Sequence, residues 1–285
     1  MSDELHYGIR TFEGQTTSFI YIVGIKPDRE IAISENVRLL PVQSSPAPDD
    51  MIDCIMKHGN GDEYVLGLLI ATLRSVTAQL EITAKNAEEL VVATWNAQTF
   101  CVLISAMLNC EVSWYFQADK SADAFDARTK VSLVHPHMHK FPNELQSIDE
   151  EQCLYLEKNL AVAWELDNDH RFSNATNALW TYLISPRSAI QLSIIWGGIE
   201  SMFLIERGIK QKLAKAISQF LKNDDSIVND IKSLYEFRCK AVHEYKNIER
   251  NILESSVSLL HQLIRKCIET NSIPNVESLL EENKT

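Results

Sequence analysis

The sequence lacks the cysteine spacing of a disulfide framework or of a zinc site. Its six cysteines are scattered, and none of them forms a C-x-x-C pair. They are Cys54, Cys101, Cys110, Cys153, Cys239 and Cys267. This usage is typical of free thiols in a reducing compartment, so we expect a cytoplasmic protein.

Signals for membrane insertion and for secretion are also missing. The sequence has no run of about 18 consecutive apolar residues, so we expect no membrane span. Its first residues, MSDELHYGIRTFEG, contain no basic segment followed by an apolar run, and we expect no signal peptide. Residues 1–145 contain neither a glycine-rich phosphate loop nor a nucleophile elbow, which argues against enzymes built on those motifs.

Positive charge is scarce in the whole chain but not in every part of it. The 285 residues carry 27 Lys/Arg against 39 Asp/Glu, a net charge of −12, which argues against tight binding to bulk nucleic acid. Residues 206–250 hold ten Lys/Arg against seven Asp/Glu, a local excess of three positive charges. This patch either holds a phosphate backbone or is an ordinary solvated surface, and the sequence leaves both open.

Apolar residues make up 45% of the chain, and its length predicts two domains, residues 1–145 and 146–285. The expected fold class is α+β: an N-terminal α+β domain with short strands, followed by a C-terminal all-α bundle. In the first domain, Lys26-Pro27-Asp28 indicates a turn, and Asn86 is the predicted N-cap of a helix over 87–108. Residues 64–83 fit one or two strands, and a helix is also compatible with their apolar pattern. The other expected elements are strands at 16–23, 31–33, 37–40 and 112–116 and a helix at 51–57.

Three histidines alternate along the chain just before the second domain. His135, His137 and His139 would share one face of a strand, which is a geometry suited to metal ligands. Pro136 and Pro142 disfavour a regular strand, and no carboxylate or thiolate lies at ligand spacing. The run therefore favours an exposed interdomain loop over a metal site.

The second domain is predicted to be helical throughout, because its apolar residues recur at three- and four-residue steps. Ser185 and Pro186 indicate the start of one helix, with serine as N-cap and proline in the first turn. Gly197-Gly198 in that helix predicts the close approach of a neighbour. The expected helices are 150–164, 172–184, 185–206, 209–221, 226–245 and 250–268, with a weak helical tail over 272–285.

The stretch Ser226 to Tyr245, SIVNDIKSLYEFRCKAVHEY, predicts one amphipathic helix that carries an arginine and a histidine. Arg238 and His243 are five positions apart, so the ~3.6-residue period separates them by about 140° around the helix axis. They would flank a groove beside the helix and would not bond one another. A second copy of the same helix would close that groove into a cleft.

These two residue types suit a defined chemistry. Arginine is a permanently charged fork for phosphate oxygens, and histidine moves a proton near neutral pH. Together, without paired carboxylates, they suit metal-free phosphoryl transfer, such as RNA cleavage by the substrate's own 2′-hydroxyl. Without further context, such a pair more often has an ordinary explanation. Arg238 would then be a solvated helix residue, and His243 would cap the C-terminal end of the helix, where the dipole favours positive charge.

The surrounding residues resemble a known family. Residues 233–243, SLYEFRCKAVH, resemble the R-x4-6-H helix of the HEPN superfamily, in particular the Apea-like HEPN proteins, in which an LY-x-x-R-x-K-x-V-H pattern is typical. A second match to the family lies upstream, in residues 171–175 and in the expected helix over 190–206. Within that helix, Ile199-Glu200-Ser201-Met202-Phe203 resembles the family's LEALF segment. The resemblance covers roughly residues 150–270. Cys239 departs from the pattern, because many active members carry Asn, Asp or His directly after the arginine.

The resemblance implies a metal-independent endoribonuclease without a cofactor, of the kind that acts as a toxin or antiviral defence effector. His243 would move protons and Arg238 would stabilise the charge on the phosphorane, with Lys240 as a phosphate contact. Glu200, the one charge in an apolar helical stretch, would either lie beside Arg238 and orient it or sit on a solvated edge. The cost of burying an unpaired carboxylate favours the first. Tyr235 either stacks on a base or packs in the domain, and the N-terminal domain would sense a trigger.

The resemblance also implies a homodimer that pairs through the Ser226–Tyr245 helix and binds RNA in a composite cleft. Two-fold pairing would bring two arginines and two histidines together. The alternative is a non-catalytic HEPN assembly or a ligand- or RNA-binding module, which Cys239 and the acidic composition favour.

Overall fold

A computed structural model of the chain describes residues 4–6, 9–58, 63–134, 141–222, 226–244 and 248–281, without the side chains of 4–6, 55, 58, 184, 226 and 242–244. The fold is α+β, as predicted, with an antiparallel sheet and helices first and a region of packed helices after it. The chain divides into two compact units, residues 1–104 with 110–161 and residues 105–109 with 162–285.

Short strands form most of the first unit. The described strands, numbered along the chain, are β1 (Glu4–His6), β2 (Ile9–Thr11), β3 (Thr17–Val23), β4 (Ile25–Pro27), β5 (Ile31–Ser34), β6 (Val37–Pro41), β7 (Val76–Thr83), β8 (Ser113–Ala118), β9 (Val131–Leu133) and β10 (Gln146–Ile148). Six of them make one antiparallel sheet in the order β5-β6-β7-β3-β8-β9. β3 is central because its residues from Ser18 to Val23 are buried on both faces of the sheet.

Helices pack on the sheet and make up the second unit. The first unit holds α1 (Pro48–His58), α2 (Glu63–Ser75) and most of α3 (Ala87–Leu108) and of α4 (Glu150–Leu166). The second unit holds α5 (His170–Thr181), α6 (Ser188–Phe203), α7 (Ile209–Phe220), α8 (Ser226–Glu244), α9 (Arg250–Thr270) and α10 (Val276–Glu281). Tyr21, Cys54, Leu69 and Phe116 belong to one buried cluster that joins α1 and α2 to the sheet.

The ambiguous stretch 64–83 is half helix and half strand. Its first part belongs to α2 and its second part is β7. The apolar run at residues 65–70 faces the core of the unit from a helix, with Leu68 and Leu69 buried. A continuous apolar run fits either period, so the local pattern did not separate the two elements.

The predicted turn at Lys26-Pro27-Asp28 begins two residues too early. Ile25 to Pro27 form β4, which pairs in parallel with β10, more than a hundred residues later, and the bend before β5 follows at Asp28 and Arg29. Another bend precedes β4 at Gly24, where φ is +104° and a Cβ would lie 2.2 Å from the Glu111 carbonyl oxygen. Only glycine is suited to both conditions.

Helix α3 forms with the predicted bounds and the predicted cap. Asn86 Oδ1 accepts from the Glu89 backbone N–H at 2.8 Å, and Asn86 Nδ2 donates to the Glu89 carboxylate at 3.0 Å. The helix is long and apolar enough to cross a membrane by length and composition, but 72% of its most apolar window is buried inside the protein. Such burial is typical of a core helix.

Helix α6 is buried between α5 and α9, and its start differs from the prediction. The helix begins at Ser188 after an extended Arg187, so Ser185 and Pro186 lie outside it. Ser185 closes the 3-10 turn at Tyr182–Ile184, and its Oγ accepts from the Arg187 N–H at 3.3 Å. The serine side chain thus completes a local turn and does not cap the helix.

Candidate functional site

Helix α8 occupies the predicted Ser226–Tyr245 stretch up to Glu244, and Tyr245 lies outside the described residues. Val228, Ile231 and Ala241 are buried along one side of it, as an amphipathic helix requires. The helix packs against α6 and α7. This packing fixes the rotation of α8, and so it decides which way Arg238 faces.

Arg238 faces α6, where it meets Glu200. Its Nη2 donates to Glu200 Oε2 at 3.3 Å and lies 3.2 Å from Oε1. Both side chains are about one-quarter exposed, 25% for Arg238 and 27% for Glu200. Glu200 and Arg238 therefore form one half-buried ion pair.

The ion pair leaves part of its hydrogen-bonding capacity unused. Arg238 Nε and Glu200 Oε1 are buried atoms without a hydrogen-bond partner among the described residues. Buried polar atoms in native proteins nearly always have a partner, so an unpaired one indicates a role or a missing ligand. Nε itself is buried, so a bound anion would reach Arg238 through the exposed quarter of its side chain.

Burial dominates the electrostatics of Glu200. Desolvation raises the pKa of Glu200, and the nearby Arg238 guanidinium lowers it by less. An ion pair with ideal geometry would hold a carboxyl pKa below its usual range. The raised pKa therefore indicates that Arg238 compensates Glu200 only partly.

An aromatic pair borders the Arg238 guanidinium. Tyr235 lies one helical turn before Arg238, and its ring centre is 5.7 Å from the guanidinium carbon. The ring meets the buried Trp196 edge-on, with centroids 5.3 Å apart. Trp196 is held in turn by a 3.2 Å hydrogen bond from its Nε1 to Ser256 Oγ. Tyr235 therefore packs in the domain, and burial raises the pKa of its hydroxyl, which keeps it protonated.

The positive charges of this region have different surroundings. Lys210 of α7 forms an ion pair with Glu236 of α8, so the two charges cancel. Lys240 lies over the ring of Phe237, with its Nζ 5.6 Å from the ring centre. Lys240 is exposed, and Phe237 is 37% exposed, so both belong to the outer side of α8.

The predicted histidines lie beyond what the structure describes. Residue 243 belongs to α8, but its side chain is outside the described part, and its role as the proton-moving residue stays a prediction. His135, His137 and His139 also fall outside the described residues. Within the described ranges, no group of three or more His, Cys, Asp or Glu side chains is placed to hold a metal ion.

Two neighbours of the site were missed by the sequence reading. Trp196 precedes Glu200 by four positions, so the helical period places both on one face of α6. That spacing was a usable signal for Trp196. No local pattern indicated Ser256 of α9, because its contact with Trp196 spans 60 residues.

Comparison of the chain with known protein families, with curated proteins and with solved structures finds no match. The relation to the HEPN superfamily therefore stays a prediction from the residues of α6 and α8.

Proposed function

We propose that this chain is a metal-independent endoribonuclease of the HEPN type, a toxin or antiviral effector that cleaves RNA by attack of a 2′-hydroxyl. The observation that carries the proposal is the half-buried pair of Arg238 and Glu200. The pair supports this function because it holds the Arg238 guanidinium in a fixed orientation, while a quarter of the side chain stays exposed to a phosphate.

In the proposed reaction, one bond to phosphorus forms and another breaks. The 2′-oxygen of the substrate bonds to phosphorus while the bond from phosphorus to the 5′-oxygen breaks. His243 takes the 2′-hydroxyl proton or delivers a proton to the leaving 5′-oxygen. Arg238 stabilises the negative charge of the phosphorane, and Lys240 contacts a neighbouring phosphate. The products carry a 2′,3′-cyclic phosphate and a 5′-hydroxyl.

A dimer supplies what one protomer lacks in this mechanism. The reaction gains from a proton acceptor and a proton donor at the same time, and one Arg238/His243 pair offers a single histidine. Isologous pairing through α8 would provide two histidines and two arginines in one cleft. The partly exposed Phe237 on α8 supports such pairing, because an apolar ring gains from burial against a second copy.

Cleavage assays with matched variants test the proposal. The purified full chain is incubated with single-stranded RNA beside His243→Ala and Arg238→Ala. We expect each variant to lose about 10²–10⁴-fold in cleavage rate, the usual range for a proton-transfer or charge-stabilising group. His170→Ala and Arg187→Ala are the controls, because both residues are exposed in the same unit and neither belongs to the proposed site.

The alternative, a non-catalytic assembly or binding module, gives a different result. It predicts no cleavage above background for wild type. A cleavage rate that His243→Ala leaves unchanged in a folded protein would contradict the enzymatic proposal.

A further inference from the structure

A cleft of about 610 Å³ lies in the N-terminal unit, and none of its lining residues belongs to the candidate nuclease site. One wall is the junction of α2 and β7, which includes Arg74. A second wall is the segment 141–145, which includes Phe141 and Glu144. The volume falls in the range of pockets that hold small molecules, about 300–1,000 Å³.

The wall formed by residues 141–145 is anchored to the core of the unit. The Phe141 ring contacts Tyr115 with centroids 5.2 Å apart. Pro142 packs so closely on Gly24 that a Cβ there would lie 2.7 Å from the proline Cγ. The Asn143 backbone N–H donates to the Glu111 carboxylate at 3.1 Å. Three separate contacts therefore hold this wall in place without a ligand.

The cleft carries two opposite charges that do not neutralise each other. Arg74 and Glu144 are both exposed, and neither forms a hydrogen bond or an ion pair with another described residue. Arg74 and Glu144 thus remain available to a ligand with two charges.

Apolar side chains complete the lining. Val23 is a buried part of the lining, and Leu145 is 54% exposed. A ligand that covers Leu145 and Phe141 removes their apolar surface from water, which favours binding.

We propose that this cleft binds an apolar zwitterion, an amino acid or a short peptide with free ends and apolar side chains. Its carboxylate bonds to the Arg74 guanidinium, its ammonium bonds to the Glu144 carboxylate, and its side chains cover Phe141 and Leu145. The proposal concerns binding in the N-terminal unit and does not depend on nuclease activity.

Calorimetric titration of the full chain with dileucine tests the proposal. We expect saturable binding, and we expect affinity to fall at least about tenfold for N-acetyl-dileucine, for dileucine amide and for glycylglycine, each of which lacks one of the three features. L-Leucine in the same titration distinguishes free amino acids from short peptides as the ligand. Leucine binding that is equal to or tighter than dileucine binding assigns the site to free amino acids, and weaker leucine binding assigns it to peptides.

Charge-removing variants link the binding to the two residues. Arg74→Gln and Glu144→Gln should each weaken dileucine binding at least about tenfold. Arg74→Gln should also bind dileucine and its amide equally, because the carboxylate partner is gone. Arg128→Gln and Glu35→Gln, exposed positions of the same unit outside the cleft, should bind like wild type. Absence of binding by dileucine and leucine, or unchanged affinity in both cleft variants, would overturn the proposal.

Discussion

At the scale of single residues, the Arg238–Glu200 pair connects folding with the proposed chemistry. The carboxylate orients the guanidinium, yet burial works against the charged carboxylate. Replacing a buried ion pair by apolar groups is often neutral or stabilising, so such a pair is weak evidence for a purely structural role. Its incomplete hydrogen bonding favours a functional one.

Glu200→Gln should change how stability depends on pH. Burial raises the pKa of Glu200 above its ordinary value of 4.5, so its contribution to folding is present below that value and lost as pH rises through the folded-state pKa. Glutamine has no such contribution. The free energy of unfolding of the variant minus that of wild type should therefore increase between about pH 4 and pH 7.

Urea unfolding at several pH values measures this difference. Glu206→Gln, which removes the same charge at an exposed position just beyond α6, is the control. A difference between Glu200→Gln and wild type that falls as the pH rises would show that the ion pair, and not burial, sets the charge state of Glu200.

The residue scale also shows what the sequence could indicate about the site. Glu200 was noticed because it is the one charge in an apolar helical stretch, and an unpaired buried carboxylate is costly. That argument pointed to a cationic partner, and Arg238 lies beside it. The unpaired atoms of the pair depend on the angle at which two helices present their side chains, which no sequence pattern contains.

At the scale of elements, helices with a clear period were predicted within a few residues. α3, α7 and α9 are examples. Elements that depend on distant partners were not predicted from the sequence. β4 is a strand because β10 pairs with it, although Lys26-Pro27-Asp28 has the composition of a turn. Local propensity carries no information about a pairing across more than a hundred residues.

The close packing of α6 on α5 can be tested with two neighbouring glycines. A Cβ at Gly198 would lie 2.6 Å from Ala178 Cβ and 3.3 Å from Ala175 Cα, so Gly198→Ala should destabilise the protein by about 1–3 kcal/mol. A Cβ at Gly197 meets no atom within 4 Å. Gly197→Ala should therefore stabilise it by about 0.5–1 kcal/mol, because alanine favours the helix.

Thermal or urea unfolding of the two alanine variants gives both values in the same background. Equal effects at the two positions would contradict the close contact between α5 and α6.

At the scale of the whole molecule, the account requires two chains for one site. The mass of the protein in solution should be twice the chain mass of 32.4 kDa, or a larger even multiple. Phe237→Glu should shift the mass to that of one chain, because two-fold symmetry would bring two glutamates close together. Light scattering after size-exclusion chromatography measures both.

Ile190→Glu is the matched control for the dimer. Ile190 is 46% exposed and belongs to the same unit, but it lies at the start of α6 and not on α8. A wild-type mass of 32.4 kDa, or a dimer that Phe237→Glu leaves intact, would contradict pairing through α8.

The chemical ends of the RNA fragments distinguish attack by the 2′-hydroxyl from metal-dependent hydrolysis. Attack by the 2′-hydroxyl leaves a 2′,3′-cyclic phosphate on one fragment and a 5′-hydroxyl on the other, whichever sequence is cut. Mass spectrometry of fragments made by the full wild-type chain in the presence of a chelator should show both ends, and His243→Ala should yield neither. Fragments with 5′-phosphate and 3′-hydroxyl ends, or cleavage that stops when the chelator is added, would contradict the proposed mechanism.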